Sequence, residues 1–134
     1  MTYFLDTNTC IYLLKGTYPA LADKLRVQRP SSIKIPAMVQ AELYAGATES
    51  SDPARVKSAM DLFLAPFEIC EFDSKAALVF GEVRAKLSRA SVKVGPYDLI
   101  IAATVIAHEG ILVTNNSKEF SRIEGLRIEN WTSG

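Results

Sequence analysis

Short apolar segments alternate with longer segments of helical periodicity along the 134-residue chain, and this alternation constrains the fold more than any other feature. Strands are predicted at 2–5, 32–36, 67–72 and 111–114, with a short fifth strand within 125–131. Helices are predicted at 8–15, 19–27, 37–47, 53–64 and 74–90, and a last one from near Pro96 to Gly110. This order predicts an α/β fold of βαβ units, with right-handed crossovers and a mostly parallel central sheet of four to five strands.

Composition narrows the class of protein. Hydrophobic residues make up 49% of the chain, which is typical of a compact globular domain, and one domain over 1–134 is expected. Fifteen basic and fifteen acidic residues cancel, so a polyanion would have to be held by a local patch or by bridging cations. Cys10 and Cys70 are expected to be buried free thiols. The sequence shows no signal peptide, and its longest apolar run, 99–107, is too short to span a bilayer. It therefore predicts a cytoplasmic protein without membrane contact.

Four acidic residues stand where the pattern predicts buried or strand-end positions. Asp6 directly follows the first strand, and Glu119 lies just after the fourth. Glu42 has apolar or small neighbours at helical spacing, and Asp98 begins an otherwise apolar helix. Because ligands bind beyond the carboxyl ends of parallel strands, these positions are the first candidates for a site.

Each of these acids also has a structural explanation. Asp6 can be a helix N-cap, Glu42 a partner in a hidden salt bridge, and Asp98 a carboxylate stabilised by the helix dipole. Asn116 followed by Glu119 resembles a capping box. Thr114, Asn115 and Asn116 can make turn hydrogen bonds, or can orient a phosphate or a metal-bound water.

The four carboxylates together favour a metal site. A parallel fold can bring them to one edge of the sheet, where they would repel each other unless a cation shared the site. An all-oxygen site suits Mg²⁺ or Mn²⁺. Since no Cys, His or Lys is placed to act as a nucleophile, metal-activated water attacking a phosphodiester is the predicted chemistry.

Four ordered motifs carry a resemblance to a known family, from Tyr3 to Trp131. They are "FLDTN" at the first strand end, "ELYAG" in the third helix, "PYDLIIAA" at 96–103 and "VTNNSKEF" at 113–120. The chain resembles PIN-domain ribonucleases and, more narrowly, the VapC toxins of bacterial toxin–antitoxin pairs.

The resemblance implies a three-layer α/β/α fold and a Mg²⁺- or Mn²⁺-dependent endoribonuclease, with tRNA as a plausible substrate. Asp6 and Asp98 would be the principal metal ligands, Glu42 would complete the acidic pocket, and Glu119 would fill a variable fourth position. Thr7 and Asn8 would orient Asp6 and the substrate, with Asn116 supporting the same edge. The resemblance also implies a homodimer, silenced by a VapB antitoxin.

Basic residues in two runs are candidates for RNA contact: Lys15, Arg29, Arg84, Lys86 and Arg89. The alternative is that these runs are solvated faces and partners of helix C-terminal dipoles. A phosphatase with Asp6 as covalent nucleophile is the rival enzyme class, but Asn8 stands where such an enzyme needs a second Asp. A catalytically silent PIN-like module that binds RNA or protein is the other alternative.

Overall fold

The five strands of the protein form one parallel sheet in the order β3-β2-β1-β4-β5, as a computed structural model of residues 1–133 shows. The strands in these described residues are β1 Tyr3–Leu5, β2 Ile33–Pro36, β3 Glu68–Cys70, β4 Ile111–Val113 and β5 Arg127–Glu129. The helices are α1 Thr7–Lys15, α2 Pro19–Arg26, α3 Ala37–Thr48, α4 Pro53–Leu64, α5 Ser74–Arg89, α6 Pro96–Ala107 and α7 Ser117–Phe120, and a 3₁₀ turn covers Pro30–Ser32.

The strand order divides the helices between the two faces of the sheet. The chain moves outward from β1 through β2 to β3, then crosses back past β1 to β4 and β5. Right-handed crossovers that travel in opposite directions place their helices on opposite faces. The result is the three-layer α/β/α architecture, as predicted.

The strand β1 lies at the centre of the sheet and pairs on both sides. Phe4 is in register with Lys34 of β2 and with Leu112 of β4. Phe4, Leu5 and all of β4 are buried, which confirms that the apolar run of β4 is covered on both faces. The chain leaves β1 towards β2 but reaches β4 only at the end of the return crossover, so β1 and β4 flank the topological switch point.

The helix α6 is the most buried helix of the described part of the chain. Seven of its twelve residues are buried, from Leu99 to Ala107. No helix among residues 1–133 is long and apolar enough to cross a membrane. Both cysteines are buried and free, as predicted.

The last helix, predicted to run to Gly110, ends earlier, at Ala107. Gly16 ends α1 in the left-handed conformation with φ 68°, as expected for a C-cap glycine. At the end of α6, however, Glu109 takes the positive φ of 54°, and Gly110 is not in the left-handed region. Gly110 lies against the ring of Phe4, and a Cβ atom there would be 2.3 Å from Phe4 Cε1. A glycine is needed here for close packing rather than for a turn.

Replacing Gly110 should therefore destabilise the fold. Gly110→Ala forces a methyl group into the fully buried Phe4 ring, and such overpacking costs about 1–3 kcal/mol. Gly81→Ala is the matched control, because Gly81 is within α5 and a Cβ there meets no atom within 4 Å. The control should leave stability unchanged or raise it by up to ~1 kcal/mol. Urea unfolding monitored by circular dichroism measures both, and equal stability of the two variants would contradict the packing role.

Candidate functional site

Asp6 is held at the carboxyl end of β1 by the first turn of α1. Its side chain is 5% exposed, and Oδ1 accepts a hydrogen bond of 2.8 Å from the backbone N–H of Thr9, so the N-cap prediction is confirmed. The hydroxyl of Thr9 donates to the carbonyl oxygen of Val113 at 3.1 Å. Thr9 thus connects Asp6 to the end of β4, next to the switch point.

Burial makes Asp6 harder to ionise than an ordinary aspartate. Loss of water around the carboxylate raises its pKa, and hydrogen bonds from Thr114 and Thr9 oppose this rise. Thr114, also buried, follows β4 directly. The two strand ends on either side of the switch point therefore share one polar network inside the apolar core.

Glu42 reaches the same edge from α3. Its Oε1 accepts a hydrogen bond of 2.7 Å from the hydroxyl of Thr7, at the start of α1. Within residues 1–133 no side-chain nitrogen of Lys, Arg or His lies within 4.0 Å of the Glu42 carboxylate oxygens. The buried salt bridge considered for Glu42 therefore does not form. Thr7 and Asn8 were expected to orient Asp6. Thr7 instead orients Glu42, and the hydrogen bond to Asp6 comes from Thr9. Asn8 is exposed.

Asp98 and Glu119 form a close pair at the start of α6. The backbone N–H of Gly95 donates to Oε1 of Glu119 at 3.0 Å, and the Asn116 amide donates to Oε2 at 2.9 Å. Asp98 Oδ2 and Glu119 Oε1 both lie 3.8 Å from the position that a Cβ on Gly95 would take. Asn116 does precede α7, but its side chain makes no capping hydrogen bond, because it binds Glu119 instead.

Burial and the neighbouring acids make Asp98 hard to ionise. Burial, a hydrogen bond to Glu119 and the charges of Glu119, Glu42 and Asp6 together raise its pKa to about 7, and burial contributes most. The pKa of Glu119 is lowered, chiefly by the Gly95 N–H and then by Asn116. Asp98 is therefore the acid of the pair that keeps a proton near neutral pH.

Two of the three polar residues after β4 belong to this network. Thr114 Oγ1 accepts a hydrogen bond of 2.9 Å from the backbone N–H of Asn116, which fixes the turn before Glu119. Asn115 instead accepts hydrogen bonds from Asn130 at 3.0 Å and from Thr132 at 3.3 Å. The structure thus gives Asn115 a contact with the C-terminal turn rather than with the acidic residues.

The oxygen donors of this acidic site suit a hard cation. Among residues 1–133, no three or more His, Cys, Asp or Glu side chains are placed so that together they could hold a metal ion. Mg²⁺ typically binds one or two carboxylates and completes its shell with water and substrate phosphate, so it does not require three protein ligands. Asp6 and Asp98, with Glu42 and Glu119 beside them, fit this requirement in donor chemistry.

The basic residues predicted to contact RNA are all on the surface, and none makes a salt bridge within the described residues: Lys15, Arg29, Arg84, Lys86 and Arg89. Three of them lie on α5, one at the end of α1 and one just before β2.

Sequence reasoning did not single out Thr9 and Gly95 as site residues. Thr9 stands three residues after the N-cap Asp6, the spacing at which a helix N–H reaches the cap, so a local signal was present. Gly95 acts through its backbone N–H on Glu119, which is 24 positions away. A backbone contact over that separation has no signature in the sequence.

The raised pKa of Asp98 predicts how stability depends on pH. Between the ordinary value of 3.8 and about 7, the folded protein holds more protons than the unfolded chain, so its unfolding free energy falls as pH rises. Asp98→Asn removes this fall. Its melting temperature relative to wild type should therefore increase between pH 5 and pH 8, on the order of 3 °C for a half-exposed group. Asp52→Asn is the control, because Asp52 is exposed and lies before α4. If the melting-temperature difference between Asp98→Asn and wild type stayed constant with pH, the raised pKa of Asp98 would be contradicted.

The chain is similar in sequence and in fold to known proteins. The family model described as "PIN domain" matches residues 3–126. The chain is 38% identical over 132 residues to Ribonuclease VapC2 of Rickettsia felis, covering 98% of both proteins. It is 36% identical over 131 residues to the tRNA(fMet)-specific endonuclease VapC of Salmonella typhimurium, again covering 98% of both. A crystal structure of VapBC2 from Rickettsia felis bound to a DNA fragment from their promoter aligns with a TM-score of 0.92 at 37% identity, covering 98% of this chain and 99% of that one. This chain therefore belongs to the PIN-domain family, among the VapC ribonucleases.

Proposed function

We propose that this protein is the toxin of a VapBC-type toxin–antitoxin pair and acts as a Mg²⁺- or Mn²⁺-dependent endoribonuclease. The observation that supports this most strongly is the pairing of Asp98 with Glu119 beside Gly95, where burial and the charges of Glu119, Glu42 and Asp6 raise the pKa of Asp98 to about 7. A cation is the usual means by which several carboxylates are kept together and ionised. The ribonuclease relatives support the same class of reaction.

In this proposal the chain's own residues hold and orient the reacting groups. Asp6 and Asp98 would bind the cation directly, with Glu42 and Glu119 beside them. The Thr7 hydroxyl keeps Glu42 in place, and the Gly95 N–H and the Asn116 amide do the same for Glu119. Mg²⁺, when bound, would neutralise charge on the phosphoryl group and lower the pKa of a water. In-line attack by water on the phosphodiester would leave a 5′-phosphate on one product and a 3′-hydroxyl on the other.

The substrate and partners follow from the relatives. One relative is named as a tRNA-specific endonuclease, which supports tRNA as the substrate class. The similar VapBC complex supports inhibition by a VapB-type antitoxin, because the two proteins are bound together in that structure. We further propose a homodimer of single-domain protomers, 1–134, that works in the cytoplasm.

Loss of either principal ligand should abolish cleavage. Asp6→Asn and Asp98→Asn are each expected to lower the rate of RNA cleavage in Mg²⁺ by at least about 100-fold while the circular dichroism spectrum stays unchanged, because each removes charge stabilisation that the reaction requires. Asp52→Asn, with its exposed side chain outside the acidic site, should cut RNA at the wild-type rate. Cleavage is measured on total tRNA by gel electrophoresis.

Removal of the metal tests the same claim in the unmodified protein. EDTA should stop cleavage, and excess Mg²⁺ or Mn²⁺ should restore it. Undiminished cutting in EDTA would contradict the metal mechanism. A wild-type protein that binds RNA but never cuts it in Mg²⁺ or Mn²⁺ would instead identify a catalytically silent module.

A further inference from the structure

A cavity of about 370 Å³ lies between α5 and the start of α6, the helix that carries Asp98. Phe80, Arg84 and Leu87 line it from α5, and Lys93, Val94 and Pro96 line it from the connecting segment and the first turn of α6. Of the residues that the sequence suggested for RNA contact, Arg84 alone lines this cavity.

The floor of the cavity is apolar and well packed. Leu87 and Leu99 are 8% and 5% exposed and belong to the hydrophobic core. The ring of Phe80 packs against Phe72 in a T-shaped arrangement, with centroids 6.1 Å apart. A flat apolar group entering the cavity would therefore meet ordered aromatic and aliphatic surface.

Charge complementarity indicates an anionic occupant. Arg84 and Lys93 line the cavity, and none of the described lining residues is Asp or Glu. Neither cation makes a salt bridge within residues 1–133, whereas Lys34 and Lys57 are each paired with a carboxylate at 2.8 Å. Arg84 and Lys93 thus keep their charge available for a ligand.

The cavity shares structural elements with the acidic site. Pro96 and Leu99, which line it, lie on the same helical turn as Asp98. The preceding residue, Gly95, donates its N–H to Glu119. The first turn of α6 therefore contributes both to the cavity and to the acidic site.

The size of the cavity limits what can enter it. Pockets for small ligands run from about 300 to 1,000 Å³, so about 370 Å³ is near the lower end. A protein helix docks through anchors spread over two turns and needs a longer groove. One nucleotide, with a flat base and an anionic phosphate, matches the volume, the apolar floor and the two cations.

We propose that this cavity is a subsite for one nucleotide of a single-stranded segment of the RNA substrate. The base lies against the Phe80 and Leu87 surface, and Arg84 and Lys93 contact the adjoining phosphate. This inference rests on the proposed ribonuclease function and adds to it a contact that selects unpaired nucleotides near the cleaved bond.

The test is a coupling experiment between the cavity and one base of the RNA. Binding of a short single-stranded RNA with a fluorescent label is followed by anisotropy in the Asp6→Asn background, with a single abasic nucleotide moved along the strand. One abasic position should weaken binding about tenfold, as expected for loss of one stacked base. In a Phe80→Leu protein, which keeps an apolar side chain, the same abasic position should have almost no further effect.

The phosphate contact of Arg84 is tested by the salt dependence of RNA binding. Arg84→Gln should flatten the slope of log Kd against log salt by about 0.7, the value for one phosphate contact to a single strand. Lys75→Gln is the control, because Lys75 is exposed on the same helix but lies outside the cavity. It should leave the salt slope unchanged.

The outcomes separate this inference from the proposed function. If the wild-type protein cleaves RNA but no abasic position is coupled to Phe80, the nucleotide subsite is wrong and the ribonuclease stands. If Phe80→Leu weakens binding of a peptide from the antitoxin and not of RNA, the cavity is a protein site and the inference is again overturned. If the wild type cleaves nothing but the coupling is found, the subsite is supported and the proposed reaction fails.

Discussion

The carbonyl oxygen of Val113 accepts two hydrogen bonds, and these fix the part of the acidic site that contains Asp6. The backbone N–H of Asp6 donates to it at 3.3 Å and the hydroxyl of Thr9 at 3.1 Å. Together they hold the end of β1 and the first turn of α1 to the end of β4. Asp6, Thr7 and Thr114 are positioned by this junction, and Glu42 is oriented in turn through Thr7.

The acidic site is electrostatically unfavourable, and the stability of the rest of the fold offsets this cost. Burial and like charge make ionisation of Asp98 unfavourable, and no Lys or Arg within the described residues forms a salt bridge with any of the four acids. Such an arrangement lowers stability near neutral pH and is typical of a functional site, where carboxylates are kept ready for a ligand. The core of Phe4, Leu5 and the apolar helix α6 supplies the stability that offsets it.

The sequence predicted the features that depend on local pattern. The apolar strand β4 and the Asp6 N-cap each follow from a few neighbouring residues, and each is confirmed. The contacts between distant segments could not be predicted in this way. Thr7 pairs with Glu42 rather than Asp6, and Gly110 is required by the ring of Phe4, because the packing of separate elements decides these contacts.

The most direct test of the proposed metal site is a crystal structure of the protein soaked in Mn²⁺, with an anomalous difference map recorded at the manganese absorption edge. The account predicts a peak at bonding distance from carboxylate oxygens of both Asp6 and Asp98, with Glu42 and Glu119 beside it. A map without a peak at this edge of the sheet, or with one bound only by residues elsewhere, would contradict it.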